Sequence, residues 1–270
     1  MSGTEREDIA QLAARLDEAV RSGVAIAQLT SEQTLELDDA YAVQRAGITL
    51  RQRSGEQVVG AKLGFTSKAK AEQMGVSDVI IGVLTSGMAL DDGGVLDLTR
   101  SVHPRVEPEI AFLLGRSVDP TDPADEVLAA VTHVAPAMEI IDSRYRDFRF
   151  SLADVVADNT SASAFVVGTW LPLDDVRDRL DLMSLAVELA IDGEVMATGS
   201  TAAILDDPLQ ALPAAGRMAA RYGHELLAGT VVLAGAATAA IPLTAGVRAK
   251  ATVAGLGAVS ITTKDGADRG

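Results

Sequence analysis

His103-Pro-Arg-Val-Glu-Pro-Glu-Ile-Ala-Phe-Leu-Leu114 and Val134-Ala-Pro-Ala-Met-Glu-Ile-Ile-Asp-Ser-Arg144 place three glutamates, Glu107, Glu109 and Glu139, inside otherwise apolar runs. An unpaired carboxylate buried in such a run costs several kcal/mol, so a positive charge should accompany each one. Strand alternation puts Glu107 and Glu109 on one face, roughly 7 Å apart at about 3.3 Å per residue. With Glu139 brought in from a second strand, the trio forms an all-oxygen site suited to a hard cation, Mg²⁺ or Mn²⁺; zinc would call for His or Cys. A bland alternative exists for each. A Glu-x-Glu pair also describes the solvated face of a half-buried sheet, and Glu139 could be a salt-bridged core residue. Pro108 removes a ladder donor between the two glutamates and points to an edge or irregular strand. Asp142 and Arg144 read as a structural pair.

Composition narrows the classes around that site. A chain of 270 residues with 48% hydrophobic content buries a large core and is not disordered. The net charge of −15, with 23 scattered basic residues, argues against nucleic acid. No apolar run is long enough for a membrane span, and the charged start Met1-Ser-Gly-Thr-Glu-Arg-Glu-Asp8 is unlike a signal peptide. The absence of cysteine excludes disulfides, a thiol nucleophile and thiolate metal ligands. A cytoplasmic location is expected.

Working outward, Ile9, Leu12, Leu16 and Val20 recur at helical spacing within 5–22, and Leu35, Leu37, Tyr41, Val43 and Ile48 do so within 31–52. After Ser54-Gly55 the texture becomes β-rich, with strands expected at 58–65, 106–114, 134–142, 164–167, 185–191, 230–234 and 247–263. Helices are expected at 123–131, 152–156 and 208–222, and a charged connector at 174–181. Strand and helix do not alternate regularly, which indicates an α+β fold rather than a doubly wound sheet. The division expected is a helical segment over 1–56 and a β-rich catalytic domain over 57–270, packed as one unit.

Gly60-Ala-Lys-Leu-Gly-Phe-Thr-Ser67, Met74-Gly-Val76, Ile141-Asp-Ser-Arg144, Val156-Ala-Asp-Asn159, Thr238-Ala-Ala-Ile-Pro242 and Gly255-Leu-Gly257 follow in order around the glutamates. With these motifs, nearly the whole chain resembles the 2-oxopent-4-enoate hydratase and 4-oxalocrotonate decarboxylase family. The resemblance implies the mixed β-roll of the fumarylacetoacetate hydrolase C-terminal type, preceded here by two helices. It also implies one Mg²⁺ or Mn²⁺ on Glu107, Glu109 and Glu139. Lys62 would be the active-site lysine, neutralising a substrate carboxylate or moving a proton, although a lysine snorkelling from a strand end reads similarly. Ser161 would be a second catalytic position, with a turn or cap as its ordinary reading. Leu63, Ile80, Ile81 and Thr238 would border the substrate. Thr238 opens a run of small residues where backbone N–H groups could approach a carboxylate, and a tight strand connection explains it equally well.

Within that family, hydratases carry an acidic residue two positions before the glycine of the segment matching Val76–Gly82, where it can serve proton transfer. This chain has Ile80 there. The expected reaction is therefore metal-dependent decarboxylation of 2-oxohex-3-enedioate (4-oxalocrotonate) in meta-cleavage catabolism of aromatics. The alternatives are a hydratase, an acylpyruvate-type hydrolase, and a non-catalytic partner subunit. The resemblance implies a small dicarboxylic 2-oxo acid as substrate, a homo-oligomer, and a complex with the pathway hydratase as a further possibility. His103 reads as structural beside Pro104, and His133 and His224 carry no pattern. Asp206-Asp-Pro-Leu209 departs from the family's Gly-His-Pro-Leu and supplies an acidic N-cap ahead of proline.

Overall fold

The computed structural model describes residues 3–67 and 78–265, so the Met74-Gly-Val76 motif lies outside the described residues. Helices α1 (Gly3–Ser22) and α2 (Leu37–Arg53) open the chain. Asp38 and Asp39 in the first turn of α2 and Arg51 and Arg53 in its last turn complement the helix dipole. Five strands follow: β1 (Val58–Gly64), β2 (Ile80–Thr85), β3 (Ala89–Leu90), β4 (Val95–Asp97) and β5 (Arg105–Leu114). Helix α3 (Ala124–Ala129) leads into β6 (Val131–Ile141), and α4 (Leu152–Ala157) into β7 (Ala162–Val167). Next come β8 (Leu171–Pro172), α5 (Leu173–Arg177), β9 (Ala186–Ile191) and β10 (Glu194–Ser200). Helix α6 (Ala211–Tyr222) precedes β11 (Val231–Leu233), β12 (Ile241–Pro242), β13 (Arg248–Val253) and β14 (Gly257–Lys264).

The strands form two sheets. The larger runs β2-β1-β11-β5-β6-β7-β3, with β12 added beside β5 and β8 beside β6, and curls into a half-barrel. The smaller runs β10-β9-β13-β14-β4. Alternation along β5 and β6 divides their side chains between two environments. Val106, Met138 and Ile140 pack against Leu189, Ala249, Ala251 and Ile261 of the smaller sheet. The opposite, concave face carries Glu107, Glu109 and Glu139, above an apolar floor that includes Leu84, Ala111, Ala137, Phe165 and Leu233.

Helices α1 and α2 cover the outer face of β1 and β2. Ala13, Leu16, Tyr41 and Val43 share one buried cluster with Ala61, Leu63 and Ile81. The contact is also polar: the Ile81 N–H donates to the Tyr41 hydroxyl at 3.2 Å, and Gln44 Nε2 donates to the carbonyls of Ile81 and Val156 at 3.0 and 3.1 Å. A helix placed over a sheet this way fixes the backbone of β2 from behind. Among the described residues no helix is long and apolar enough to cross a membrane.

Several sequence expectations shift. The 247–263 run divides into the hairpin β13–β14, and the connector at 174–181 begins as helix α5. The sequence patterns mark neither β2, β4 and β10 nor the two-residue strands β3, β8 and β12. The β9–β10 hairpin had a readable signal in Asp192-Gly193, both at positive φ (51° and 86°), the turn chemistry that reverses a strand tightly. Pro108 does not mark an edge. Strand β5 lies inside the sheet between β11 and β6, and the missing proline N–H falls where β11 has ended and β12 has not begun; there the Ala237 N–H reaches the Pro108 carbonyl at 2.9 Å. Asp207 caps the turn before α6 through the Leu209 N–H at 3.0 Å, with Pro208 next in line, as that departure from the family pattern suggested.

Helix α4 is anchored by a capping box between Ser151 and Asp154. The fully buried Asp154 carboxylate also accepts the Thr30 N–H at 3.0 Å and the Thr30 hydroxyl at 2.6 Å, tying the N-terminal region to this helix. Asp154→Ala leaves these donors unanswered and removes the carboxylate half of the capping box. The expected loss is about 2–4 kcal/mol of unfolding free energy, measured by urea denaturation; a loss under about 0.5 kcal/mol would show that this tie contributes nothing.

Candidate metal and substrate site

The site grows from the pairing of β5 and β6. Their antiparallel register sets Glu107 directly opposite Glu139, with Glu109 one alternation further along the same face. Each residue contributes a carboxylate oxygen to a group lying within 4.8 Å of one another, and all three side chains are buried. Such a cluster is costly as it stands. Burial pushes the Glu109 carboxyl well above the usual carboxylate range, with the Glu139 charge adding to the rise; burial likewise raises Glu139, opposed by Lys62.

The hydrogen bonding leaves room for a ligand. Glu109 Oε2 accepts the Gly235 N–H at 2.8 Å, while Glu109 Oε1 and Glu139 Oε1, both buried, accept no hydrogen bond. Buried carboxylate oxygens without donors are unusual unless something unseen meets them. Three convergent carboxylates, with buried oxygens of Glu109 and Glu139 that accept no hydrogen bond, fit a hard divalent cation, and their combined charge matches its demand for oxygen donors.

Lys62, on β1, lies on the same concave face. Its ammonium is 3.0 Å from Glu139 Oε2 and donates to the Thr160 carbonyl at 3.1 Å, with the side chain only 4% exposed. The carbonyl is presented by an unusual segment: Asn159, Thr160 and Ser161 all adopt positive φ (49°, 53° and 60°). Left-handed backbone costs non-glycine residues roughly 1–2 kcal/mol each, so the surroundings must hold it. They do so from three sides. The Asn159 side chain pairs with the Val83 backbone in both directions at 2.8 Å. The Ser161 carbonyl accepts the Asp142 N–H at 2.8 Å. Arg144 donates to the Asp158 carboxylate and, at 2.7 Å, to the Asp158 carbonyl. Arg144 thus pairs with Asp158 rather than with the expected Asp142, whose carboxylate instead accepts the N–H groups of Val102 and His103. The exchange has a simple cause: Asp142 points back toward the entrance of β5, leaving Asp158 as the carboxylate within the guanidinium's reach.

Two glycines make the approach possible. A Cβ on Gly82 would lie 2.2 Å from Thr160 Oγ1 and 3.0 Å from Lys62 Cδ. Gly235, at φ +112°, would put a Cβ 2.2 Å from Thr66 Oγ1, so only glycine lets its N–H reach Glu109.

A cavity of about 560 Å³ opens above this cluster, lined in part by Lys62, Glu107, Ile80, Thr160 and Ser161. The Thr160 and Ser161 hydroxyls are buried without hydrogen-bond partners. Ile80 is on the wall. Leu63 and Ile81 are not: they pair across β1 and β2 with side chains alternating onto the opposite face, in the core beneath the N-terminal helices. Thr238 is also off the wall, its hydroxyl turned to the Ala239 carbonyl at 3.0 Å, while Ala239 and Ala240 line the cavity. Arg105, Phe148 and Arg149 line it as well; the last two lie in the run Ile140–Phe150, which reads like that of the family's decarboxylases, and none of the three was given a site role from sequence. Arg105 had a signal in sharing the alternation of Glu107 and Glu109.

Comparison with known proteins accords with this geometry. The sequence profile of the fumarylacetoacetate (FAA) hydrolase C-terminal family matches residues 58–263. A 4-oxalocrotonate decarboxylase from a Pseudomonas species is 50% identical over 255 residues, 94% of this chain and 98% of that protein. A 2-keto-4-pentenoate hydratase from Burkholderia vietnamiensis is 38% identical over 265 residues, covering 96% and 98%. The solved structure of 4-oxalocrotonate decarboxylase from Pseudomonas putida G7, complexed with magnesium and adipate, superposes with a TM-score of 0.89 at 35% identity, covering 96% of this chain and 98% of that one.

The raised Glu109 carboxyl has a signed consequence. Without metal, the folded chain retains a proton that the unfolded chain loses near the ordinary value of 4.5, so stability falls as pH rises through and above that value. Glutamine cannot titrate. In EDTA, Glu109→Gln should therefore melt above the parent protein at pH 8, with the gap closing toward pH 4–5, while its Mg²⁺ affinity drops by on the order of tenfold or more. Calorimetry with Mg²⁺ and melting curves across pH measure both; a gap independent of pH would contradict the crowded-carboxylate account.

Proposed function

This chain belongs to the fumarylacetoacetate hydrolase C-terminal family, and on that premise we propose that it is a metal-dependent carboxy-lyase converting 2-oxohex-3-enedioate (4-oxalocrotonate) to 2-hydroxypenta-2,4-dienoate and CO₂. The observation that carries the reading is the convergence of Glu107, Glu109 and Glu139, with buried oxygens of Glu109 and Glu139 that accept no hydrogen bond, beside a cavity walled by Ile80. Glu107, Glu109 and Glu139 would hold Mg²⁺ or Mn²⁺. When bound, a divalent ion supplies Lewis acidity that draws negative charge toward the oxygen of a 2-oxo acid.

The bond that breaks joins C5 to C6. Its electron pair forms C4=C5, the C3=C4 pair shifts to C2=C3, and the C2 carbonyl becomes an enolate whose protonation yields the 2-hydroxydiene. The protein's own groups can be matched to these demands. Lys62, held between Glu139 and the Thr160 carbonyl, keeps a positive charge beside the anionic keto acid end and has a proton to lend the enolate oxygen. The partnerless hydroxyls of Thr160 and Ser161 offer donors to substrate oxygens without breaking bonds of their own. Ile80 and Val155 are apolar groups on the wall that would flank the carbon chain of the substrate and keep water from the diene as CO₂ departs.

The hydratase alternative meets an obstacle in the same wall. Glu107 is the one acidic side chain on it among the described residues, and Asp78, the nearest aspartate before Ile80, is turned outward into an ion pair with Arg217. No acid stands at Ile80 to serve water addition. We further propose that the protein works in the cytoplasm as a homo-oligomer, that it forms a complex with the pathway hydratase, and that residues 1–56 belong to one unit with 57–270, through the Tyr41 and Gln44 contacts to β2.

Purified protein with Mg²⁺ should release CO₂ from 2-oxohex-3-enedioate, with EDTA abolishing the release and Mg²⁺ restoring it. Absence of turnover with Mg²⁺ or Mn²⁺ would refute the assignment. Ile80→Asp should cut CO₂ release by on the order of tenfold or more and bring detectable hydration of 2-hydroxypenta-2,4-dienoate. Undiminished decarboxylation with no hydration would remove Ile80 from the partition between the two reactions.

A further inference from the structure

Among the described residues the cavity carries three cationic side chains: Lys62, Arg105 and Arg149. Lys62 is committed to Glu139 and Thr160, and Arg149 is exposed at the rim. Arg105 differs from both. It is partly buried on the concave face of β5, its guanidinium carbon lies 4.4 Å above the Phe148 ring, and it forms no ion pair with any described residue. Stacking holds the planar fork without using its hydrogen-bond donors. The backbone under the ring is itself constrained, with Asp147 and Phe148 both at positive φ (58° and 57°).

Position gives this cation a use. Arg105 lies one strand period outward from Glu107 on the same face, a step of about 7 Å. An extended six-carbon diacid spans about 6 Å between its terminal carbons, given C–C bonds of ~1.5 Å. A ligand whose keto acid end lies at the glutamates therefore brings its other carboxylate to the level of Arg105, where a fork of N–H donors can receive it in a partly desolvated setting.

We propose that Arg105 is the residue that selects dicarboxylic over monocarboxylic 2-oxo acids, by receiving the carboxylate distal to the keto group. The inference rests on the decarboxylase reading for the substrate's identity. It assigns Arg105 to selection and not to rate: a guanidinium that binds the carboxylate holds the reactant more tightly than neutral CO₂, so the contact lowers KM without raising kcat.

The test is binding of two unreactive ligands to the Mg²⁺-loaded protein by calorimetry: 2-oxohexanedioate, and 2-oxohexanoate, which lacks the distal carboxylate. The parent protein should prefer the diacid by on the order of 10- to 100-fold, the scale of one charge-assisted hydrogen-bonded pair. Arg105→Met should collapse that ratio to within about threefold of unity while leaving 2-oxohexanoate binding nearly unchanged. With 2-oxohex-3-enedioate, KM should rise by a similar factor while kcat holds or rises. Should Arg105→Met not fold, Arg105→Lys decides, since lysine keeps the charge but loses the planar fork and lowers the ratio by about threefold or more. A ratio preserved in the variants, equal weakening of both ligands, or no preference in the parent protein would each overturn the proposal. Failure of the decarboxylase reading is seen separately, as absence of CO₂ release by the parent protein, and the binding ratio still judges Arg105.

Discussion

Three carboxylates held close together out of water are the constraint around which this molecule is organised. Their mutual repulsion and lost hydration oppose the fold, as the upward push on Glu109 and Glu139 records. The structure offsets part of this with Lys62 beside Glu139 and the Gly235 N–H on Glu109, and leaves two buried oxygens for a cation to satisfy. Destabilisation is thus concentrated where binding can relieve it.

The remainder of the fold supplies the stiffness this requires. Beneath the glutamates, Ala111, Ala137 and Leu233 close the floor of the half-barrel, so the carboxylates cannot relax inward to water. The second sheet packs behind β5 and β6 and fixes their register through Val106, Met138 and Ile140. From the other side, Tyr41 and Gln44 grip the backbone of β2, whose Gly82 abuts the left-handed segment at Asn159–Ser161. Arg144 and Asp158 hold that segment from below, and burial pushes the Asp158 carboxyl up to about 6. The Lys62 ammonium therefore sits where two independent supports meet: its own strand, and a turn that would not keep its conformation alone.

Chemistry along the cavity follows the same layering. Anionic groups and Lys62 lie at its base, apolar Ile80 and Val155 line one stretch of wall, and Arg105 stacked on Phe148 stands further out. A 2-oxo diacid presents those properties in that order: a chelating keto acid, a hydrocarbon link and a terminal carboxylate. The match between substrate polarity and wall polarity, more than the fold itself, is what narrows the reaction, since one fold hosts both decarboxylases and hydratases among this chain's relatives.

Periodicity in the chain determined the helices over α1, α2 and α6, the long strands β5 and β6, and the shared face of Glu107 and Glu109, because each depends only on the geometry of consecutive residues. The isolated carboxylates in apolar runs pointed to a cation site but fitted a solvated sheet face as well, and it is their burial that separates the two. Strand β10 escaped notice because its exposed, mixed residues carry no alternation, and the inward or outward sense of Leu63 and Ile81 could not be read from runs apolar on both faces. Only tertiary structure decided that Glu139 meets Glu107 across the β5–β6 ladder, that Arg144 answers Asp158 rather than Asp142, and that Arg105 stacks over Phe148. These are contacts between segments distant along the chain, set by register and packing, and no local pattern encodes which partner arrives.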